Sequence, residues 1–138
     1  MKLYNLAGKL VYKSVRKYRI DWGKKCRSNI QYEVKQFFHP YWKTQICYEE
    51  FPVYGTRMKV DMINMTKRIA VEVQGAQHEA FNKFFHGNSR ANYLKSIRRD
   101  YDKAVWLENN NFKLLEIKEE DLPSLSRGYI LEKFEVNI

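Results

Sequence analysis

The stretch over residues 68–75, RIAVEVQG, constrains the fold more than any other part of the chain. Apolar and polar side chains alternate along it, which is the period-two pattern of a half-buried β-strand that ends at the glycine. One face carries Ile69, Val71 and Val73, and the other carries Ala70, Glu72 and Gln74. A carboxylate on a covered face needs a cation, a hydrogen-bond donor or a proton, because burial penalises its charged form. The pattern therefore marks Glu72 as a candidate functional residue.

The preceding residues 57–64, RMKVDMIN, show the same alternation and predict the other half of a hairpin. The apolar series is Met58, Val60 and Met62. The short turn at residues 65–67 favours antiparallel pairing of the two strands. If their apolar faces align, Asp61 shares the opposite face with Glu72 and Gln74.

An amphipathic helix is predicted before these strands, over residues 29–38. Ser28 is a good N-cap for it, and Pro40 is expected to end it. Its apolar stripe consists of Ile30, Val34, Phe37 and Phe38. Glu33 lies within one turn of these residues, so we expect it at the edge of the stripe, directed toward the core.

A second helix is predicted after the strands, over residues 90–109, and a run of asparagines ends it. Its inward-facing residues are expected to be Leu94, Ile97, Tyr101, Ala104 and Val105. Asp100 lies three residues after one of them and four before another, so it borders the same buried stripe.

The elements read in order as a basic segment, a helix, three strands, a helix and a strand. The first and last strands are predicted at residues 44–51 and 112–117. This order predicts an α/β fold with a mixed sheet flanked by helices. The tail is expected to hold a helix near residues 122–127 and a strand at its end.

The net charge of +9 is distributed unevenly. Residues 1–27 hold nine basic side chains and one acid, Asp21, whereas the remaining 111 residues hold 16 basic and 15 acidic ones. Aromatic side chains between these charges suit contact with nucleic acid, so we predict a DNA-contacting segment. Its predicted contact residues are Lys9, Lys13, Arg16, Lys17, Arg19, Lys24, Lys25 and Arg27. A solvated basic face and a membrane-surface helix are the alternatives.

A chain of 138 residues suits a single domain. We divide it into the basic segment at residues 1–27, a core at residues 28–117 and a C-terminal extension at residues 118–138. No window approaches the roughly 20 apolar residues that cross a bilayer, and basic residues interrupt every apolar run near the N-terminus. Cys26 and Cys47 match no metal spacing and are interpreted as thiols of a reducing cytoplasm.

Three acids converge in this pattern: Glu33, Asp61 and Glu72. Like charges close together raise one another's pKa, and a divalent hard cation relieves that repulsion. Mg²⁺ takes one or two carboxylates together with waters and a substrate phosphate. It polarises the phosphoryl oxygen and turns a bound water into a nucleophile. The alternative is a set of surface acids that pair with the 25 basic residues of the chain.

The helix glutamate, the strand aspartate and the Glu72-Val73-Gln74 segment resemble the PD-(D/E)XK nuclease superfamily, whose core order is α-β-β-β-α-β. The match covers roughly residues 28–117. The segments EVQGAQH and RRDYDKAVWLENNNFKLLEI look closest to the branch that contains the very-short-patch mismatch repair endonuclease and phage homing endonucleases.

The resemblance implies a restriction-endonuclease-like fold and a role for each acid. Asp61 would be the principal metal ligand and Glu72 the second one. Glu33 would orient a metal-bound water, and Asp100 would be the acid of the second long helix.

Gln74 departs from the superfamily pattern, which usually has lysine at this position. Glutamine hydrogen-bonds water or phosphate but supplies no charge and no base near neutral pH. His78, four residues on, has an unperturbed pKa suited to general acid or base work, so we expect it to supply the proton chemistry. His86 and Lys103 are further candidates.

The resemblance implies a Mg²⁺-dependent DNA endonuclease for which Mn²⁺ is a possible substitute. A freestanding, site-specific homing-type enzyme of a phage or bacterium is expected, acting on double-stranded DNA in the cytoplasm of the host cell. Cutting both strands implies a homodimer or a larger homo-oligomer, and a nicking monomer is equally compatible. The alternatives are a catalytically lapsed DNA-binding protein on the same fold, a mismatch-specific or structure-specific repair nuclease or RNA-processing nuclease, and a basic structural protein.

Overall fold

The computed structural model describes residues 1–75 and 90–138. The strands are β1 (Lys2–Tyr4), β2 (Leu10–Tyr12), β3 (Cys47–Pro52), β4 (Lys59–Asn64), β5 (Ile69–Gln74) and β6 (Lys113–Lys118). The α-helices are α1 (Asn29–Trp42), α2 (Arg90–Asn109) and α3 (Arg127–Phe134), and short 3-10 helices cover Arg16–Tyr18 and Glu119–Ser124. None of the helices in these two ranges is long and apolar enough to cross a lipid bilayer.

A mixed four-stranded sheet in the order β3-β4-β5-β6 forms the centre of the fold. β3, β4 and β5 are antiparallel neighbours, and β6 joins β5 in parallel. The short turn between β4 and β5 sets their register, which places Ile63 opposite Ala70. The predicted hairpin, the order of elements and the α/β class with a mixed sheet are confirmed.

Both faces of the sheet are covered, which divides the hydrophobic core into two layers. One layer joins α1 and α3 to the sheet and includes Val34, Phe38, Val71, Leu115 and Ile130. The other joins α2 and the N-terminal segment to the opposite face and includes Leu3, Phe51, Ile63, Ala70 and Trp106. Burying each large apolar side chain contributes about 1.5–3 kcal/mol, so the two layers supply the main driving force for folding. A polar side chain on either face therefore lies close to buried surface.

α1 begins where the sequence predicts and ends later. Ser28 Oγ accepts a hydrogen bond from the Gln31 backbone N–H at 3.1 Å, as expected for the N-cap. The helix continues through Pro40 to Trp42, so the predicted end at residue 38 is wrong. Proline removes one backbone hydrogen bond near the helix end. Burial of the stacked Phe38 and Trp42 rings, whose centroids are 4.2 Å apart, offsets that loss.

Only the second half of α2 is buried against the rest of the protein. Trp106 and Leu107 are fully buried. Three residues predicted to face inward are instead exposed: Leu94 at 52%, Ile97 at 47% and Tyr101 at 63%. The prediction for these three is wrong, because α2 contacts the sheet through β6, which follows its C-terminal end after a short turn.

Residues 1–27 belong to the same core as the rest of the domain. β1 and β2 form an antiparallel hairpin, and Leu3 and Val15 are buried in the α2 layer. Trp106 Nε1 donates to the Tyr4 carbonyl at 2.6 Å, and the Tyr4 N–H donates to Asn110 Oδ1 at 2.8 Å. The basic segment is therefore held in a fixed position against α2.

The C-terminal residues also pack on the core, although not as predicted. A 3-10 helix and α3 take the place of the predicted helix near residues 122–127 and the final strand. Ser126 is the N-cap of α3, since its Oγ accepts from the Tyr129 N–H at 3.0 Å. α3 ends at Glu135 in a left-handed conformation with φ of 58°, and the buried Val136 packs without strand pairing within the described part of the chain.

Candidate active site

The ladder between β4 and β5 stops next to two acids. Its last paired residues are Met62 and Val71. Beyond them, the Asp61 N–H donates to Glu72 Oε2 at 3.3 Å, and the Val73 N–H donates to Asp61 Oδ2 at 2.8 Å. The side-chain carboxylates thus replace backbone ladder bonds where the strands separate. The structure brings together the two acids, here the carboxylate pair, that the sequence pattern placed on one face.

Both members of the carboxylate pair are largely withdrawn from water. Burial is the main cause that raises the pKa of Asp61, against the lowering effect of hydrogen bonds from Glu72 and Val73 and of the Lys103 charge. Burial and the neighbouring Asp61 charge raise the pKa of Glu72 to about 8. Near neutral pH the pair therefore holds a proton, which either a cation or a rise in pH removes.

A lysine from α2 lies against the carboxylate pair. Lys103 Nζ forms an ion pair with Glu72 Oε1, and the two side chains are 19% and 12% exposed. Solvent screens such a pair much less than a surface salt bridge. Lys103 was only a further candidate in the sequence, because its contact with β5 depends on how α2 crosses the sheet.

Gln74 and Asp100 lie beside the same pair. Both line a narrow gap together with Glu72 and Lys103. Gln74 is half-buried at the end of β5, whereas Asp100 is exposed on α2 about one turn before Lys103. The expectation that Asp100 borders a buried stripe is wrong, because this part of α2 faces outward. The helix nevertheless brings it next to the site.

Glu33 does not join the carboxylate pair, so its predicted place is wrong. Its side chain is exposed, while the adjacent Val34 is fully buried, since one residue along a helix turns the side chain by about 100°. Glu50 of β3 instead shares a cleft with Asp61 and raises the pKa of that acid. Gln31 Nε2 donates to Glu50 Oε1 at 3.0 Å. The sequence did not single out Glu50, whose left-handed φ of 48° follows from no residue pattern.

The donor atoms of the carboxylate pair suit a hard divalent cation. Asp61 and Glu72 provide carboxylate oxygens, and Mg²⁺ sites in proteins commonly use one or two carboxylates with waters and substrate phosphates. Among the described residues, no group of three or more His, Cys, Asp or Glu side chains is arranged to hold a metal ion. Two carboxylates are within the number that a Mg²⁺ site takes from a protein, where water and phosphate fill the remaining positions. His78 and His86 lie outside the described residues.

Asp61 lines an open cleft of about 580 Å³, here the carboxylate cleft. The basic side chains in its wall come from the segment before α1, the start of β4 and α2. They are Arg27, Arg57, Lys59, Arg99 and Lys103. The acids in the wall are Glu50, Asp61 and Asp100, so positive charge is in excess and attracts anions. Three of these cations, Arg57, Lys59 and Arg99, were not predicted, since only the fold brings them together.

The predicted DNA-contacting residues separate into two groups. Five of them line an adjoining cleft of about 420 Å³, here the loop cleft: Lys17, Arg19, Lys24, Lys25 and Arg27. Lys9, Lys13 and Arg16 line neither of these two clefts. Lys13 Nζ instead lies 5.3 Å from the centre of the Tyr54 ring. Part of the N-terminal charge therefore lines the cleft that adjoins the carboxylate cleft, and part lies elsewhere.

No family model and no solved structure matches this chain. A curated relative is uncharacterized protein 033L of Invertebrate iridescent virus 3, which is 30% identical over 92 residues. The match covers 63% of this chain and 47% of the relative, so the chain spans about half the length of the curated relative it matches. The chain is thus similar to a viral protein whose name assigns no activity.

Proposed function

We propose that this protein is a Mg²⁺-dependent DNA endonuclease that hydrolyses phosphodiester bonds. The observation that carries the proposal is the carboxylate pair of Asp61 and Glu72, held against Lys103, with Asp61 and Lys103 in the wall of a positively charged cleft. Excess positive charge attracts a polyanion, and buried carboxylate oxygens attract a hard cation. A phosphodiester is the substrate class that uses both properties.

The order of elements supports membership of the PD-(D/E)XK superfamily and a restriction-endonuclease-like topology. α1, β3, β4, β5, α2 and β6 follow the α-β-β-β-α-β order of that core, and the carboxylate pair lies on the two central strands. Within the superfamily, the proposed branch is the one with the very-short-patch repair endonuclease and phage homing endonucleases. The proposed setting is the cytoplasm of a bacterial or phage-infected cell.

Asp61 and Glu72 would hold the metal ion, with Mn²⁺ as a possible substitute. An ion bound there would act as a Lewis acid on a phosphoryl oxygen and would lower the pKa of a coordinated water. The carboxylate pair would release its proton on taking up the cation, because both groups bind metal in the ionised form. Metal binding is therefore coupled to pH through this pair.

Lys103 supplies the positive charge that Gln74 lacks. Glutamine carries no charge, whereas Lys103 reaches Glu72 from α2 in the same gap that Gln74 lines. An ammonium at this point stabilises negative charge that develops on the phosphate. His78 remains the proposed group for proton transfer.

A catalytically lapsed DNA-binding protein on the same fold is the second candidate. Gln74 at the usual lysine position favours it, because glutamine carries no charge. Such a protein would use the same basic clefts without cutting. A mismatch-specific or structure-specific repair nuclease would instead cut, with a preference for mispaired or branched DNA.

The test is cleavage of supercoiled plasmid and genomic DNA in Mg²⁺, Mn²⁺ or EDTA. Asp61→Asn and Glu72→Gln keep the side-chain volumes, and Glu108→Gln at the exposed end of α2 is the matched control. Metal-dependent products that vanish in the two site variants and persist in the control support the nuclease. Tight DNA binding without cleavage under any metal supports the lapsed protein. Plain, mismatched and branched duplexes and RNA, compared in the same assay, distinguish the repair and RNA-processing nucleases.

A further inference from the structure

The two clefts beside the carboxylate pair adjoin one another. The carboxylate cleft and the loop cleft share Arg27, Glu50 and Lys59 in their walls. Two of these shared side chains are cationic. An extended anionic ligand that occupied both clefts would therefore pass two cations, Arg27 and Lys59.

The loop cleft is strongly basic. Its cations are Lys17, Arg19, Lys24, Lys25, Arg27 and Lys59. Its acids already accept hydrogen bonds: Glu49 and Glu50 accept from side chains of α1, and Asp21 accepts from the Gly23 N–H in the same loop. Crowded cations in a concave surface repel one another and concentrate positive potential, which a polyanion relieves.

A buried ion pair fixes the loop at residues 19–28, which precedes α1 and carries much of this charge. Lys35 is 2% exposed, and its Nζ donates to Glu49 Oε1 and to the Lys24 carbonyl, both at 2.8 Å. Glu49 Oε2 in turn accepts from the Asp21 N–H at 2.7 Å. The backbone of the loop is thus held at two points before any ligand binds. Such preorganisation lowers the entropic cost of binding.

We propose that the loop cleft binds backbone phosphates of the DNA strand whose reacting phosphate lies in the carboxylate cleft. The inference rests on the proposed function and adds the path that the bound DNA strand takes along the protein surface. The loop cleft adjoins the carboxylate cleft but does not include Asp61, so these contacts lie beside the reacting phosphate and not at it. The contacts are to phosphates, so this part of the affinity is independent of base sequence.

The test measures DNA binding in EDTA, where a metal-dependent nuclease cannot cut. The variants are Lys24→Ala/Lys25→Ala in the loop cleft and Lys43→Ala/Lys113→Ala, which removes two exposed lysines that line neither cleft. Fluorescence anisotropy of a labelled duplex is followed over a range of salt concentrations. The loop variant should bind about tenfold or more weakly at low salt. Its salt slope should fall by about 2, since each phosphate contact contributes about 0.9.

Equal losses in the two double variants would overturn the proposal, because total charge rather than position would then set the affinity. Wild-type protein that binds no DNA would overturn it too. Plasmid cleavage in Mg²⁺ by the same proteins keeps the two proposals apart. If DNA binds through the loop cleft but is not cut, the nuclease proposal is excluded and phosphate binding in the loop cleft is supported. If the protein cuts DNA in a metal-dependent way but the two double variants lose equal affinity, the nuclease proposal is supported and phosphate binding in the loop cleft is excluded.

Discussion

The ammonium group of Lys103 on α2 is paired with the carboxylate of Glu72 on β5, at the point where β4 and β5 separate. Members of the superfamily that we propose for this protein usually carry a lysine on the strand itself, at the position that corresponds to Gln74. In this protein the positive charge comes from a different element and reaches the same carboxylate. The ion pair between Lys103 and Glu72 therefore links the packing of α2 to the electrostatics of the candidate site.

Lys103→Met should slow metal-dependent cleavage about a hundredfold or more, because it removes the positive charge that we propose stabilises the reacting phosphate. DNA affinity should change much less, since other cations line the cleft. Single-turnover cleavage and anisotropy separate the two effects. Lys95→Met, at an exposed position of the same helix, is the control. A loss confined to binding would make Lys103 a contact residue.

Glu72→Gln should change the pH dependence of stability. The pKa of Glu72 is about 8 in the folded protein against an ordinary value of 4.5, so the folded state keeps a proton that the unfolded state loses between these values. The resulting stabilisation is complete below pH 4.5 and is lost as the pH rises through about 8. The neutral glutamine should therefore gain stability over wild type at high pH, by on the order of a few kcal/mol.

Urea unfolding of wild type and Glu72→Gln at pH 5 and pH 9, as test conditions, measures this difference, with Glu108→Gln as the exposed control. The gain in free energy of unfolding should be larger at the higher pH. The same gain at both values would mean that Glu72 does not keep a proton in the folded state.

The hairpin and its acids were predictable because strand geometry leaves little freedom. Side chains alternate between faces with period two, and a short turn fixes which residues lie opposite one another. Asp61 and Glu72 therefore met as expected. The N-cap at Ser28 was equally predictable, since it depends on local hydrogen bonds.

The rest of the site depended on tertiary structure. Glu33 was misplaced because a step of one residue on a helix turns a side chain from the core toward solvent. Glu50 lines the carboxylate cleft, and its own backbone is in a left-handed conformation that residues other than glycine rarely adopt. Lys103 meets Glu72 only because α2 packs against β6, the neighbour of β5, and no spacing along the chain records that contact.

Lys35→Met should destabilise the protein by about 3–5 kcal/mol, because it leaves Glu49 without its partner in a largely buried place. Lys43→Met, at the exposed end of the same helix, should change the free energy of unfolding by less than about 0.5 kcal/mol. Thermal or urea unfolding of both variants gives the comparison. A small effect at Lys35 would show that the loop does not depend on this ion pair.

Leu3→Ala should cost about 2–5 kcal/mol, because Leu3 is 3% exposed in the α2 layer of the core. Leu10→Ala, in the same hairpin but 46% exposed, should cost far less. Equal costs would mean that the hairpin does not pack as described.

Removing the whole basic segment at residues 1–27 would also delete core side chains, so charge substitutions are the better probe of its DNA contacts.

Moving the positive charge back to the strand should restore part of the activity lost in Lys103→Met. Gln74 lines the same gap as Glu72 and Lys103, so a lysine introduced there reaches the same carboxylate.

Gln74→Lys/Lys103→Met should therefore cleave about tenfold or more faster than Lys103→Met alone, because the charge near the phosphate is restored. Gln74→Ala/Lys103→Met, which makes a change at the same position without adding charge, is the control. Single-turnover cleavage in Mg²⁺ measures all three. If the cleavage rate recovers in Gln74→Lys/Lys103→Met but not in the alanine control, the contribution of α2 to the site is the positive charge of Lys103. Equal slowness of both double variants would show that the placement of Lys103 by the helix matters and not its charge alone.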